Sequence, residues 1–292
     1  REAYFSDGFI GVDWSGAKGP NLPGLQVAFA EPGNKSPRLV KPRQARWWNR
    51  QSFVQWLIEE LRHYRLLIGV DFAFGYPFED EGAFFPGLQF QPKTAATLWD
   101  FVEKYTGSDN NFYGADFYKR QDLEFYRYYL SPYGKGDRYR FRQRLTEIAC
   151  SAITAPHPVL KCIGAANVGT GSLAGMRILR YLSAAMSDSL SIWPFRQPTK
   201  NSAIVEVFPR LYFKLANTDP SLWQNRENIN QTLAFYKSEK LSDHIEINRE
   251  DEADALVSAA ALRLLSSDEE LWSAPQSFEA AIKAEGWIFG VK

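Results

Sequence analysis

The sequence has few of the residues on which disulfide and zinc chemistry depend. Among its 292 residues are two cysteines, Cys150 and Cys162, and three histidines. Two cysteines are too few for a disulfide framework or a zinc site, and no two histidines are spaced as a ligand pair. We therefore expect neither a disulfide-stabilised secreted fold nor a zinc enzyme.

An excess of charge of one sign and long apolar runs are also lacking. The 34 basic and 34 acidic residues cancel, so any binding of nucleic acid has to depend on a local patch. No stretch of about 18 apolar residues and no signal-peptide core is found. We expect a soluble, cytoplasmic protein without a membrane partner.

Short apolar runs bounded by Pro and Gly alternate with helical patterns. Strands are predicted at residues 9–14, 25–30, 38–41, 66–72, 203–208 and 286–291. Ser52, with Gln55 three residues later, predicts a capping box at the start of a helix. Further helices are predicted at about residues 94–105, 173–186 and 251–265. This order predicts a mixed sheet with helices on its faces.

The stretch between the fourth strand and the helix at 173–186 is irregular, which indicates an insertion or lid at about 76–165 rather than a bare loop. Within it, residues 112–144 carry eleven Phe or Tyr and eight Lys or Arg against four acids. Such interleaving suits a single-stranded nucleic acid. The alternative is that the tyrosines pack on the main domain while the charges face water.

A glycine-rich run at 164–175 precedes a predicted helix, so its backbone amides could bind a phosphate. It lacks the Lys-Ser/Thr ending of a P-loop. A flexible edge of an active site, or a tight turn before the helix, is the alternative interpretation.

The sharpest feature is the run Ile-Gly-Val-Asp, which ends at Asp13 and again at Asp71. A carboxylate at the end of a buried strand is costly unless it is paired or holds a cation. If the two strands are neighbours, the carboxylates lie about 5 Å apart, which calls for a metal or a raised pKa. The alternative is that each Asp caps a turn after its strand.

Two further acidic elements follow. Glu206 lies among apolar residues of a predicted strand and is a candidate third carboxylate of the same site. The alternative interpretation is that Glu206 lies on an edge strand and faces water. Asp251 and Asp254 are three residues apart and share one helix face. The helix dipole is the alternative explanation for acids in a first turn, but it accounts less well for Asp254, which begins the apolar face.

These carboxylates, with no histidine among them, suit Mg²⁺ or Mn²⁺ rather than zinc. Metal ions held by carboxylates commonly serve phosphoryl and phosphodiester displacement. The sequence therefore predicts a metal-dependent site built from Asp13, Asp71, Glu206, Asp251 and Asp254.

Five motifs resemble those of a family of predicted nucleases of the RNase H-like superfamily, nearest its RuvC-type branch. They are Gly11-Val-Asp-Trp-Ser-Gly16, Gly69-Val-Asp-Phe-Ala-Phe-Gly75, Glu206-Val-Phe-Pro209, Asp251-Glu-Ala-Asp-Ala-Leu256 and Glu285-Gly-Trp-Ile-Phe289. The resemblance implies one α/β domain over 1–292, with a mixed five-stranded sheet, flanking helices and the insertion after the fourth strand. It also implies Asp13, Asp71 and Asp254 as metal ligands, with Asp251 and Glu206 close by. Position 71 departs from RuvC-type enzymes, which have Glu there.

Two other functions remain open on the sequence. An actin or sugar-kinase type ATPase also opens with a Gly-x-Asp-x-Gly-like strand and turn, although that fold needs two duplicated halves. A nucleic-acid-binding module that keeps the fold without catalysis is the other.

Overall fold

The computed structural model describes residue 5 and residues 7–107, 111–165 and 167–292. The strands are β1 Gly8–Asp13, β2 Gln26–Ala30, β3 Arg38–Val40, β4 Leu66–Val70, β5 Leu130–Ser131, β6 Gly134–Lys135, β7 Leu190–Ile192 and β8 Ser202–Glu206. Six of them form one mixed sheet in the order β3-β2-β1-β4-β8-β7, and β5 and β6 form a separate hairpin. The pairs β1–β2 and β2–β3 are antiparallel, whereas β1–β4, β4–β8 and β8–β7 are parallel.

The helices flank this sheet. They are α1 Arg50–His63, α2 Ala95–Thr106, α3 Asp116–Lys119, α4 Leu145–Cys150, α5 Val168–Ala185, α6 Pro209–Leu215, α7 Arg226–Phe235, α8 Glu250–Leu265 and α9 Glu269–Ser273. The predicted α/β class, with a mixed sheet and flanking helices, is confirmed.

Each face of the sheet has its own core because successive strand residues point to opposite sides. Ile10 and Ile68 belong to a core formed with α1, α2 and α5. Phe9 and Leu67 belong to a second core formed with α6, α7 and α8. Small residues of α8 cover β1 and β2, and this helix runs closest to the centre of the sheet.

The sheet has six strands rather than the five that the resemblance implies. Strand β7, which has three residues and lies at the edge of the sheet, was not predicted. The strand predicted at 286–291 is wrong: a single bridge joins Ile288 to Glu206. Gly286 and Gly290, with φ of 82° and 105°, bend the backbone out of an extended conformation on either side of it.

Two helix starts also differ from prediction. Helix α1 begins at Arg50, with Asn49 as the N-cap and Ser52 as its capping-box partner, so Gln55 has no part in the cap. Helix α5 begins at Val168, so much of the glycine-rich run is helical. Pro209, three residues after the end of β8, opens α6, which was not predicted, and its fixed φ suits the first turn.

The segment 76–165 contains α2, α3, α4 and the β5–β6 hairpin, and it packs against the sheet rather than standing apart. Its side chains Phe84, Trp99 and Phe117 belong to the same core as Ile10 of β1. The buried Glu285 accepts hydrogen bonds from the backbone amides of residues 78, 79 and 145, which joins the beginning of the segment and the first residue of α4 to the C-terminal region. Within the described ranges, no helix has the length and apolar character needed to cross a bilayer.

Gly11 permits the close approach of α8 to β1. A Cβ atom at position 11 would overlap the carbonyl oxygen of Ala255 and lie 2.6 Å from the amide nitrogen of Ala259. At Gly69, the equivalent position of β4, an added Cβ would meet only side-chain atoms of Val207 and Leu262.

We therefore predict that Gly11→Ala lowers the free energy of unfolding by about 2–3 kcal/mol, since helix backbone has to move. Gly69→Ala is the matched control and should cost less, because side-chain ends can rotate away. Urea denaturation of both variants measures the difference. Equal destabilisation by the two would contradict this account of the helix–sheet contact.

Candidate functional site

Two strand ends bring Asp13 and Asp71 together. In the parallel pairing of β1 with β4, Gly11 lies opposite Gly69 and Val12 opposite Val70. The amide of Asp71 continues the ladder by donating to the Val12 carbonyl at 3.1 Å. Because side chains alternate along a strand, Asp13 shares the face of Gly11, and this is the face that α8 covers.

Helix α8 adds Asp254 and Asp251 to this corner. Asp13 is buried, and its pKa is raised well above the usual value, first by burial and then by the charges of Asp254, Asp71 and Asp251. Burial likewise raises the pKa of Asp254, with Asp71, Glu250 and Asp251 adding to the effect. The four predicted aspartates therefore form one interacting group, which we call the carboxylate cluster: Asp13, Asp71, Asp251 and Asp254.

Asp71 titrates in the neutral range. Burial raises its pKa from 3.8 to about 7, the charge of Glu206 acts in the same direction, and a hydrogen bond with Asp13 partly offsets both. In the metal-free protein at neutral pH, the cluster therefore retains protons that isolated aspartates would have lost.

The acids of the α8 first turn face different partners. Asp251 accepts from the Nε of Arg249 at 3.1 Å. Glu252 accepts from Lys41 Nζ at 2.9 Å and from the amide of Asn248 at 2.8 Å. Glu250 lines the cavity described below. The helix dipole favours all three acids, whereas the raised pKa of Asp254 shows that the cluster costs energy at that position.

Glu206 is near the cluster but on the other face of the sheet. It lies opposite Val70 in the β4–β8 register, one residue before the position opposite Asp71. Its two carboxylate oxygens accept from the buried Arg144 at 2.6 Å and 2.8 Å, and one also accepts from the amide of Phe74 at 3.2 Å. Glu206 is thus buried and paired, not an edge residue facing water.

Arg144 was not singled out from the sequence as a site residue. Besides Glu206, its guanidinium donates to the Glu285 carbonyl at 3.0 Å, and its Nε lies 3.6 Å from Oε1 of Glu147. Burial raises the pKa of Glu147 to about 7, although Arg144 acts in the opposite direction. The pairing of Arg144 with Glu206 spans 62 positions, so no local pattern could have indicated it.

A cavity of about 410 Å³ is lined both by residues of the carboxylate cluster and by Arg144 with its acidic partners. Asp71, Asp254 and Glu250 line one part of its wall, and Arg144 and Glu147 line another. The remaining lining includes Glu206, His157, Asn167 and Val168, the last two at the start of α5. The volume is within the range of small-molecule sites, and Asp71 and Asp254 are the two residues of the carboxylate cluster that line it.

The chemistry of the cluster fits a hard divalent cation. All donors are carboxylate oxygens, the type that Mg²⁺ and Mn²⁺ prefer. The causes of the raised pKa of Asp13 are burial and like charges, an electrostatic cost that a cation would relieve. Across the described ranges, no three His, Cys, Asp or Glu side chains already have the arrangement of a metal-binding group.

The segment 112–144 is largely engaged within the protein. Its buried aromatic side chains are Phe117, Tyr118, Phe125, Tyr128 and Tyr129. Its ion pairs include Arg120–Asp122, Arg127–Asp137, Arg140–Glu81, Arg142–Asp80 and Arg144–Glu206. Tyr126, Tyr133 and Phe141 remain exposed. The packing alternative therefore accounts for most of the segment.

The glycines of α5 allow other parts of the backbone to pack closely against this helix. The backbone of Gly171 approaches Gly16, in the loop after β1, and its carbonyl accepts from the Trp14 indole at 2.9 Å. The first turn is capped by Asn167, whose side chain accepts from the amide of Thr170. These contacts hold the loop that follows Asp13 against α5.

The chain has no match among models of known protein families, curated proteins or solved structures. Its function therefore has to be inferred from the geometry of the cavity and the carboxylate cluster.

The raised pKa of Asp71 predicts a pH-dependent stability in metal-free protein. A carboxyl group whose pKa is higher in the folded than in the unfolded chain stabilises the fold below its unfolded pKa, here 3.8, and that contribution is lost as the pH rises through about 7. In EDTA at pH 8, Asp71→Asn should therefore raise the Tm by roughly 2–6 °C, and the gain should shrink at pH 5.

Thermal unfolding with and without Mn²⁺ measures this effect. Mn²⁺ should raise the Tm of the wild type at pH 8 and have a smaller effect on Asp71→Asn. Asp243→Asn, a change at a fully exposed carboxylate, is the control and should match the wild type. A loss of Tm in Asp71→Asn that is the same at both pH values would contradict the prediction.

Proposed function

We propose that the protein is a Mg²⁺- or Mn²⁺-dependent nuclease that hydrolyses phosphodiester bonds and has an RNase H-like fold. The observation that carries the proposal is the convergence of Asp13, Asp71 and Asp254, from two neighbouring strands and one helix. Each has a raised pKa caused by burial and by other carboxylates. Such a group is costly to maintain without a cation.

The topology supports the same fold. Three antiparallel strands, β1 to β3, are followed by α1 and by the parallel strands β4 and β8, and α8 returns to cover β1. The motif resemblance implies this order. The additional strand β7 lies at the edge farthest from β3, and it leaves the neighbouring β1 and β4 ends unchanged.

Asp13, Asp71 and Asp254 would hold the metal, and Asp251 is close enough to contribute. A bound divalent cation would polarise the phosphodiester group and lower the pKa of an attacking water. Glu206, because its carboxylate is paired with Arg144, would act on the site through its charge on Asp71 rather than as a ligand.

The cavity walls would position the substrate. Arg144 and Glu206 fix each other through two charge-assisted hydrogen bonds, which makes that wall rigid. Glu147, with a pKa near 7, can hold a proton at the pH where hydrolysis would occur. Asp71 and Asp254 present their oxygens to the same cavity.

The kinase-type alternative has less support. That fold needs two duplicated halves, whereas the described ranges contain one six-stranded sheet and one two-stranded hairpin. The presence of the carboxylate cluster despite its electrostatic cost favours a catalytic protein over an inactive binding module.

Replacing single cluster residues tests the proposal. We predict that Asp13→Asn and Asp254→Asn each reduce Mn²⁺-dependent cleavage of single-stranded or double-stranded DNA or RNA by at least about 100-fold. The variants should remain folded, because neutral amides remove like-charge repulsion. Cleavage is measured on labelled oligonucleotides, and folding by circular dichroism.

Asp243→Asn serves again as the control, since it removes one exposed carboxylate remote from the cavity. It should cleave like the wild type. Cleavage at wild-type rates by both Asp13→Asn and Asp254→Asn, or wild-type cleavage that persists in EDTA, would overturn the nuclease assignment.

A further inference from the structure

The most one-sided stretch of charge in the chain lies beside the carboxylate cluster. Residues 32–58 contain six Lys or Arg and no Asp or Glu. The centre of this stretch is the connection between β3 and α1, residues 41–47, which we call the basic loop. Lys41, Arg43 and Arg46 are exposed there.

Both ends of the basic loop are fixed to the core. At its start, Lys41 Nζ contacts Glu252 of α8 at 2.9 Å and Gln26 Oε1 at 3.2 Å. At its end, the buried Trp48 donates from its indole to the Val40 carbonyl at 2.9 Å. The loop is therefore held in place while its middle faces solvent.

Trp47 connects the loop to the cluster. The Arg46 guanidinium lies over its ring at 4.9 Å from the centroid, and that of Arg249 at 5.9 Å. Arg249 also contacts Asp251 of the cluster at 3.1 Å. Cation–π contacts of this kind hold guanidinium groups at a surface without neutralising them.

The cations in the middle of the basic loop have no acidic partner among the described residues. In the described part of the chain, no acidic side chain forms an ion pair with Arg43 or Arg46, whereas Lys41 is paired with Glu252. In the segment 112–144, by contrast, Arg120 and Arg127 are each paired with an acid. The basic loop therefore presents two exposed guanidinium groups, and the surrounding stretch 32–58 holds no acidic residue.

We propose that the basic loop binds the phosphate backbone of a nucleic acid strand whose scissile phosphodiester lies at the carboxylate cluster. The inference rests on the proposed nuclease function and narrows its substrate to a polymer. Arg43 and Arg46 do not line the cavity, so a single nucleotide bound there would not need them. A strand that continues past Asp251 would reach them through Arg249 and Trp47.

Binding of a labelled single-stranded oligonucleotide in EDTA, followed by fluorescence anisotropy at several salt concentrations, tests the proposal without cleavage. The double variant Arg43→Ala/Arg46→Ala should weaken binding at least about 10-fold. It should also lower the salt slope by about 1.4, since each phosphate contact with a single strand contributes about 0.7. Arg120→Ala/Arg140→Ala, which removes the same charge from the segment 112–144, should change the affinity less than about 2-fold.

Equal effects of the two double variants, or no binding by the wild type, would overturn the proposal. So would retention of wild-type protein on phosphatidylserine vesicles without binding of the oligonucleotide, since the loop would then recognise an anionic membrane surface. Loop-dependent binding by a protein that cleaves nothing in Mn²⁺ would instead refute the nuclease function alone.

Discussion

The contact between Gly11 and the backbone of α8 fixes where the helix lies on the sheet. Because no side chain separates them, Ala255 and Ala259 come directly against β1. Asp254, one residue before that contact, is thereby brought to the end of β1, where Asp13 and Asp71 already meet. The apolar packing of α8 and the assembly of the carboxylate cluster are thus one structural feature.

The chain gives its two groups of buried acids different environments. Glu206 and Glu285 have partners within the protein: an arginine for the first and three backbone amides for the second. The carboxylate cluster instead has mainly its own like charges and one arginine, Arg249, at Asp251. Removing the partner of a buried acid is strongly destabilising, whereas mutually repelling buried acids lower the stability of the fold when they are ionised. This contrast separates structural carboxylates from those suited to bind a cation.

Much of the cluster could be predicted because the relevant signals are local. The repeated Ile-Gly-Val-Asp identifies two buried strands. Because these strands are parallel neighbours paired residue for residue, their two aspartates lie at the same end of the sheet. Asp254 could be predicted because it begins an apolar helix face. The environment of Glu206 could not be predicted, because a shift of one residue in the β4–β8 register decides which face of the sheet its side chain occupies. The basic loop could not be predicted from the sequence, because composition does not reveal which cations are already paired.

The central claim is that Asp13, Asp71 and Asp254 bind one or more divalent cations. Anomalous diffraction from crystals grown with Mn²⁺ tests it most directly, because it locates the ion without requiring activity. We predict a Mn²⁺ peak about 2.0–2.3 Å from carboxylate oxygens of all three residues. Crystals that hold Mn²⁺ elsewhere, or hold none, would contradict the account.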